Sequence, residues 1–194
     1  MQLTRPLVLA SNSPRRHQLL REMGCTFRVE VRPTDETFPA NLPIPEVPAF
    51  LARQKADRFR DDLSDQLVLC ADTIVVVDTD ILNKPADADE AVRMLRRLSG
   101  RAHQVMTGVC LLSAEETVSF TDIATVYFNP LDDYEIQTYV EHYRPFDKAG
   151  AYGVQEPIGM IGIQRIEGSF YTVMGLPAHR VYQALRSYEL RVKS

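Results

Sequence analysis

Apolar positions along the chain alternate between two spacings: runs of consecutive aliphatics, which suit buried strands, and i, i+3, i+4 patterns, which suit helices. Residues 7–10 read as a strand, 14–23 as a helix with Leu19, Leu20 and Met23 on one face, and 27–31 as a second strand. Ser13 is placed to N-cap that helix, Pro14 fits its first position and Gly24 its stop. A proline-rich loop, RPTDETFPANLPIPEVP, leads to a helix over about 47–60. LVLCADTIVVVDTDILNKP follows, a nearly continuous apolar run with a turn at Asp78-Thr79-Asp80. The spacing predicts a helix over about 88–98, capped near Asp87, stopped by Gly100 and carrying Ala91, Met94, Leu95 and Leu98 on one side. Strands over about 104–112 and 118–128 form a hairpin around SAEET, and Asp132 with Glu135 makes a capping box for a helix to about 142. FDKAGAYGVQEPIGMIGIQRIEG reads as a glycine-rich loop and a strand, SFYTVMG as another strand, and Pro177 opens a final helix bearing Val181, Leu185 and Tyr188. The resulting order, βαβ…αβα…ββαββα, predicts a mixed α/β sheet flanked by helices rather than a purely alternating doubly wound one. No repeat or linker divides it, so residues 1–194 read as one domain.

Several charged residues break this pattern, and such breaks tend to mark function. Asp72 lies inside the apolar run from Leu67 to Val77, where a carboxylate without partners is expensive. It is either satisfied by backbone donors or is a metal ligand or general base. Lys55 falls on the otherwise apolar face of the helix over 47–60, either snorkelling to water or serving a site. Arg15 and Arg16 occupy a first helical turn that is already electropositive, where each cation costs roughly 0.3–1 kcal/mol. A polyanion bound there reverses that sign, because N–H groups and guanidinium forks then converge on phosphate oxygens. One of the two could instead pair with Asp35-Glu36. Lys84, in NKP, is the fourth cation of the set, and Asp35, Glu36 and Asp72 are the candidate acids. Acids without His or Cys partners suit a hard cation such as Mg²⁺ or Mn²⁺ riding on phosphates.

Composition narrows the choice. With 194 residues, 45% apolar and 25% charged, the chain is long enough for one well-packed domain or two lobes. A net charge of −4 gives no general attraction for nucleic acid or anionic lipid. No apolar run reaches membrane-span length and MQLTRPLVLA lacks a secretory pattern, so the expected location is cytoplasmic. Cys25, Cys70 and Cys110 are widely spaced among apolar neighbours and read as reduced and structural. His17, His103, His142 and His179 fit no catalytic spacing and read as structural or surface residues. GAYGVQ lacks a Walker lysine and a Rossmann spacing.

Seven segments together resemble the Maf family of nucleoside triphosphate pyrophosphatases: LASNSPRRHQLL, FLARQKA, ADTIV, NKP, MLRRLSGRAHQVMTGV, DKAGAYGVQ and VMGLP. The resemblance implies an elongated twisted sheet with helices, two lobes and a central cleft, as in inosine triphosphatases, often in a homodimer. It implies hydrolysis of the α–β phosphoanhydride of a nucleoside triphosphate with a divalent metal. Asp72 matches the catalytic acceptor of the water proton, and Glu36 an acid that helps hold the metal. Ser11, Ser13, Arg16, Lys55, Lys84 and Lys148 match phosphate-site positions. Arg15, Thr73 and Gln155 match the branch preferring dTTP and UTP, where a glutamine amide both donates to and accepts from a uracil or thymine edge. The other branch acts on 7-methyl-GTP, and a broader noncanonical nucleotide pyrophosphatase is a related alternative. A nucleotide-binding regulator of cell division or septum formation is the alternative of another class. Glu156 stands where the family usually has glycine, adding a charge next to Gln155.

Overall fold

Strand β1 (Leu7–Leu9) is buried throughout and pairs in parallel with β2 (Arg28–Val29) on one side and β3 (Leu67–Val77) on the other. Parallel neighbours require crossovers. These are supplied by α1 (Pro14–Glu22) between β1 and β2, and by α2 (Val47–Asp57) between β2 and β3. The coordinates are a computed structural model that describes residues 1–190, so the last four residues of the expected 1–194 domain lie outside the described residues. A left-handed turn at Asp78 (φ 57°) folds β4 (Asp80–Leu82) back antiparallel onto β3. Helix α3 (Ala88–Leu98) precedes a hairpin of β5 (Ala102–Leu112) and β6 (Thr117–Phe128). Then come α4 (Asp133–Tyr143), α5 (Pro157–Gly162), β7 (Ile163–Glu167), α6 (Phe170–Met174) and α7 (Ala178–Leu185). The strand order is β2-β1-β3-β5-β6-β7 with β4 on β3, a mixed sheet as expected.

The chain forms two compact units. Unit one comprises Met1–Asp72, Thr107–Asp122 and the described residues from Gly175 onward, and unit two comprises Thr73–Met106 and Ile123–Met174. In unit one, Val8, Ala52, Ala56, Phe59, Val68, Cys70, Cys110 and Leu112 share a core. Helix α2 can lie against β5 there because Gly108 has no side chain. A Cβ at that position would fall 2.0 Å from the Pro48 carbonyl carbon. In unit two, α3 and α4 supply Leu95, Leu98, Ile136 and Tyr139 to a core shared with Val75, Val126, Phe128 and Tyr152. All three cysteines are free and buried. Among the described residues no helix is long and apolar enough to cross a membrane.

The sequence and structure differ at several places. PIGMIG is the short helix α5, and the segment expected to be a strand, SFYTVMG, forms α6. Ser169 O accepts the N–H groups of Thr172 and Val173, which closes that turn. Helix α2 ends at Asp57 and is followed by a 3-10 turn at Arg60–Asp62, β2 shrinks to two residues, and Tyr188 sits in a 3-10 turn beyond α7. Ser13 holds the N-cap position of α1 but its side chain makes no capping bond.

Candidate active site

Where β1 ends, Ala10 N–H still donates to Leu69 O at 2.9 Å, and the chain then turns sharply into α1. Ser11 ties this turn together. Its Oγ accepts Ser13 N–H at 3.2 Å and Arg16 Nη1 at 3.2 Å, while its carbonyl lies 2.6 Å from His17 Nε2. A hydroxyl that accepts two bonds still has its own proton to donate. Arg16 also donates from Nε to Gly175 O at 2.9 Å, binding the VMGLP segment to the start of α1. The first turn of α1 holds no acid, so its exposed N–H groups, Arg15 and Arg16 add positive potential in one place. Burial pulls the Arg16 guanidinium below its ordinary pKa, opposed by the negative charge of Asp72 and, more weakly, of Glu36. Arg16 thus lies within electrostatic reach of both acids.

Helix α2 presents Lys55 in its last turn, the end of a helix that favours a cation. The burial of β3 is interrupted at Asp72 and Thr73 alone. Lys55 Nζ sits 2.5 Å from Asp72 Oδ1 and 2.8 Å from Glu36 Oε1. The lysine side chain is 18% exposed and the Asp72 side chain 13%, against 52% for Glu36. Lys55 therefore does not snorkel to bulk water, and Asp72 is met by a charged partner. A feature that sequence reasoning missed holds Glu36 in place. Gln54 Nε2 donates to Thr37 O at 3.0 Å, fastening the acidic loop to α2, while Gln54 Oε1 is buried without a partner. The available signal was a polar residue immediately before Lys55 in FLARQKA. Unit one thus brings Ser11, Ser13 and Arg16 together at one helix start and Glu36, Lys55 and Asp72 around one ammonium.

Unit two carries the remaining expected residues. Lys84 is exposed, and the carbonyl before it, Asn83 O, accepts Gly150 N–H at 3.3 Å, which joins NKP to the glycine-rich loop. Lys148 has a side chain 10% exposed, with Nζ 2.7 Å from Asp147 Oδ1 and 3.1 Å from Glu156 Oε1. Gln155 is partly buried, and its Oε1 is shielded from solvent with no partner. Tyr152 of the same loop is buried against His103, whose Nε2 lies 2.8 Å from its hydroxyl. Burial lowers the His103 pKa to about 4, so this histidine is a neutral structural partner. Tyr139, a further residue missed from sequence, reaches from α4 to the carboxylate of Glu156. Thr73 follows Asp72 in β3 and opens this unit.

The acids of the unit-one cluster, Glu36 and Asp72, offer only oxygen atoms to a cation, and both also touch Lys55. Among the described residues no group of three or more His, Cys, Asp or Glu side chains gathers as a metal cage.

Comparison with known proteins shows what the chain is similar to. The family model described as Maf-like protein matches residues 6–188. A Porphyromonas gingivalis protein named dTTP/UTP pyrophosphatase is 50% identical over 186 residues, covering 94% of this chain and 94% of that protein. One of the same name from Bacteroides thetaiotaomicron is 48% identical over 182 residues, with 93% and 94% covered. Another from Cytophaga hutchinsonii is 47% identical over 179 residues, with 92% and 82% covered. Among solved structures, the Staphylococcus aureus Ham1 protein superposes with a TM-score of 0.53 at 16% identity, covering 94% of this chain and 98% of that one. That likeness establishes the fold.

Proposed function

Because the chain belongs to the Maf family, we propose that it hydrolyses dTTP and UTP to the nucleoside monophosphate and pyrophosphate. The observation that carries this reading is Asp72, a carboxylate set into an otherwise buried strand and held by Lys55 beside a second acid. Nothing in the packing of a strand calls for such a group, whereas attack of water on a phosphorus atom does. Lys55 occupies Oδ1 of Asp72, so we assign Oδ2 as the acceptor of the water proton. Arg15, Arg16 and the N–H groups at the start of α1 bind phosphate oxygens, and the Ser11 hydroxyl donates its remaining proton there. Ser13 in unit one is assigned to phosphate binding, as are Lys84 and Lys148 in unit two. Pre-placed donors of this kind stabilise charge as it develops on the leaving pyrophosphate. Arg15, Thr73 and Gln155 are assigned to base recognition, and the buried, unpartnered Gln155 Oε1 supports that role.

Glu36 and Asp72 would hold a divalent cation, Mg²⁺ or Mn²⁺. Their all-oxygen donor set fits a hard ion, and two carboxylates leave coordination positions for phosphate oxygens and water. When bound, such an ion neutralises phosphate charge and polarises the phosphoanhydride. We place the enzyme in the cytoplasm as a homodimer. Three free buried cysteines accord with a reducing compartment.

The test is product analysis over dTTP, UTP, dCTP and 7-methyl-GTP with Mg²⁺. Monophosphate plus pyrophosphate, fastest from dTTP and UTP, is expected. Diphosphate plus phosphate would refute the bond assignment, and preference for 7-methyl-GTP the base assignment. Tight nucleotide binding without pyrophosphate release would make the protein a regulator rather than an enzyme.

A further inference from the structure

A glutamine amide is ambiguous as a reader of pyrimidines. In one orientation it donates to the O4 and accepts from the N3–H of uracil or thymine. Rotated by half a turn, it accepts from the exocyclic amine and donates to N3 of cytosine. Preference for one base therefore requires that the backbone carrying the amide be fixed. In unit two, Gln155 is flanked on both sides by residues of a single hydrogen-bonded chain.

That chain runs through a tyrosine. Gly153 N–H donates to Tyr139 Oη at 3.1 Å, Tyr139 O–H donates to Glu156 Oε2, and Glu156 Oε1 receives Lys148 Nζ at 3.1 Å. The backbone closes the same loop, with Glu156 N–H donating to Gly153 O at 3.0 Å. Glu156 occupies the N-cap position of α5, yet its side chain does not cap the helix. Its carboxylate instead folds back over Gly153, where a Cβ would fall 2.7 Å from Glu156 Cδ. Tyr139 is 4% exposed and anchored in the α4 core, so it gives this chain a fixed origin. Both Glu156 oxygens are engaged, one by Tyr139 and one by Lys148, so the carboxylate acts within the loop rather than on a base.

We infer that Glu156 and Tyr139 are positioning residues for nucleotide selection: the Tyr139 link fixes the turn that carries Gln155, and the Lys148 link fixes the ammonium offered to phosphate. This rests on the proposed pyrimidine triphosphate reaction and adds to it a division of labour within one carboxylate. Glu156→Gln keeps an acceptor for Tyr139 and loses the ionic link to Lys148. Glu156→Ala loses both, and Tyr139→Phe loses the link to Gly153 and Glu156 while keeping the ring in the core.

The experiment measures kcat and KM for dTTP and dCTP in the wild type and the three variants. The dTTP-to-dCTP ratio of kcat/KM is expected to fall about tenfold in Tyr139→Phe and Glu156→Ala, the scale of one lost buried hydrogen bond. Glu156→Gln should recover most of that ratio while showing a raised KM for both nucleotides. The inference is overturned if the ratio stays within about twofold of wild type in Tyr139→Phe and Glu156→Ala, or if both nucleotides lose activity in parallel, as a purely structural role demands. Should Tyr139→Phe not fold, the contrast between Glu156→Ala and Glu156→Gln decides it alone. A wild type that releases no pyrophosphate from dTTP defeats the proposed function. A selective wild type with equally selective variants defeats only this inference.

Discussion

Among the described residues two lysines, Lys55 and Lys148, are each held by two acids, yet their settings differ in kind. Lys55 projects from a regular helix to a residue of a regular strand, and its partners Asp72 and Glu36 are themselves candidates for the chemistry. Lys148 lies in an irregular glycine-rich loop, and its partners Asp147 and Glu156 belong to the same loop or its edge. In unit one the lysine orients an acid, and in unit two an acid orients the lysine. Rigid secondary structure suits a proton acceptor, whose reach must be right to a few tenths of an ångström. A loop cross-linked by hydrogen bonds suits base selection, where a few residues can be retuned without disturbing the sheet.

The hardest blow to this contrast falls on unit one. Asp72→Asn should lower turnover by a factor of about 10² to 10⁴, since general base assistance is worth that much, while the amide oxygen still accepts from Lys55 and stability changes little. Lys55→Met should lower turnover by about 10² to 10³ and also destabilise by about 1–3 kcal/mol, because a largely buried carboxylate loses its partner. Steady-state kinetics with thermal unfolding of both variants checks the pair. If Asp72→Asn kept near-normal activity, Asp72 would be a strand residue with a counter-ion and nothing more.

The two regions also differ in how readily they were read from sequence. Asp72, Lys55 and the arginines stand out because regular elements carry an expected pattern, and a charge inside it is visible as a breach. The capping box of Asp132 and Glu135 and the Asp87 cap were legible for the same reason, being local. The Tyr139–Glu156 link was not, because its ends lie 17 residues apart and Tyr139 reads as one more apolar position of α4. Helices α5 and α6 escaped notice at six and five residues, too short for a helical period to emerge. SFYTVM, rich in aromatic and β-branched residues, carries strand propensity that its packing overrides, with Thr172 and Met174 buried.

Acid tests the second region in the opposite direction. The folded pKa of His103, about 4, lies below the ordinary 6.5, so the unfolded chain takes up the proton first. Its contribution is therefore complete above about pH 6.5 and is lost as pH falls toward 4, a difference of about 3 kcal/mol across that window. Since His103 holds Tyr152 of the glycine-rich loop, mild acid should loosen unit two in particular. Denaturant unfolding at pH 7 and pH 4 is expected to show the loss in the wild type and a flatter dependence in His103→Gln. An identical slope in both would remove the histidine from the account.

The smallest expected effect comes from a pair in unit one that involves neither lysine. Arg5 grips Glu115 through two parallel bonds of 2.6 and 2.7 Å, geometry as good as that around Lys55. The bond to Arg5 lowers the Glu115 pKa to about 2. A carboxylate depressed in the folded state contributes stability above its unfolded pKa, ordinarily near 4.5, and loses it as pH falls through about 2. Solvent and salt screen an exposed pair, however, so its geometry does not translate into comparable stability. Glu115→Gln should thus shift the thermal midpoint at pH 7 by less than the acid effect at His103, with the shift shrinking in high salt and vanishing below pH 2. A loss as large as that of Lys55→Met would mean that burial is not what separates the site lysines from an ordinary surface ion pair, and the contrast between the regions would have to rest on ligand chemistry alone.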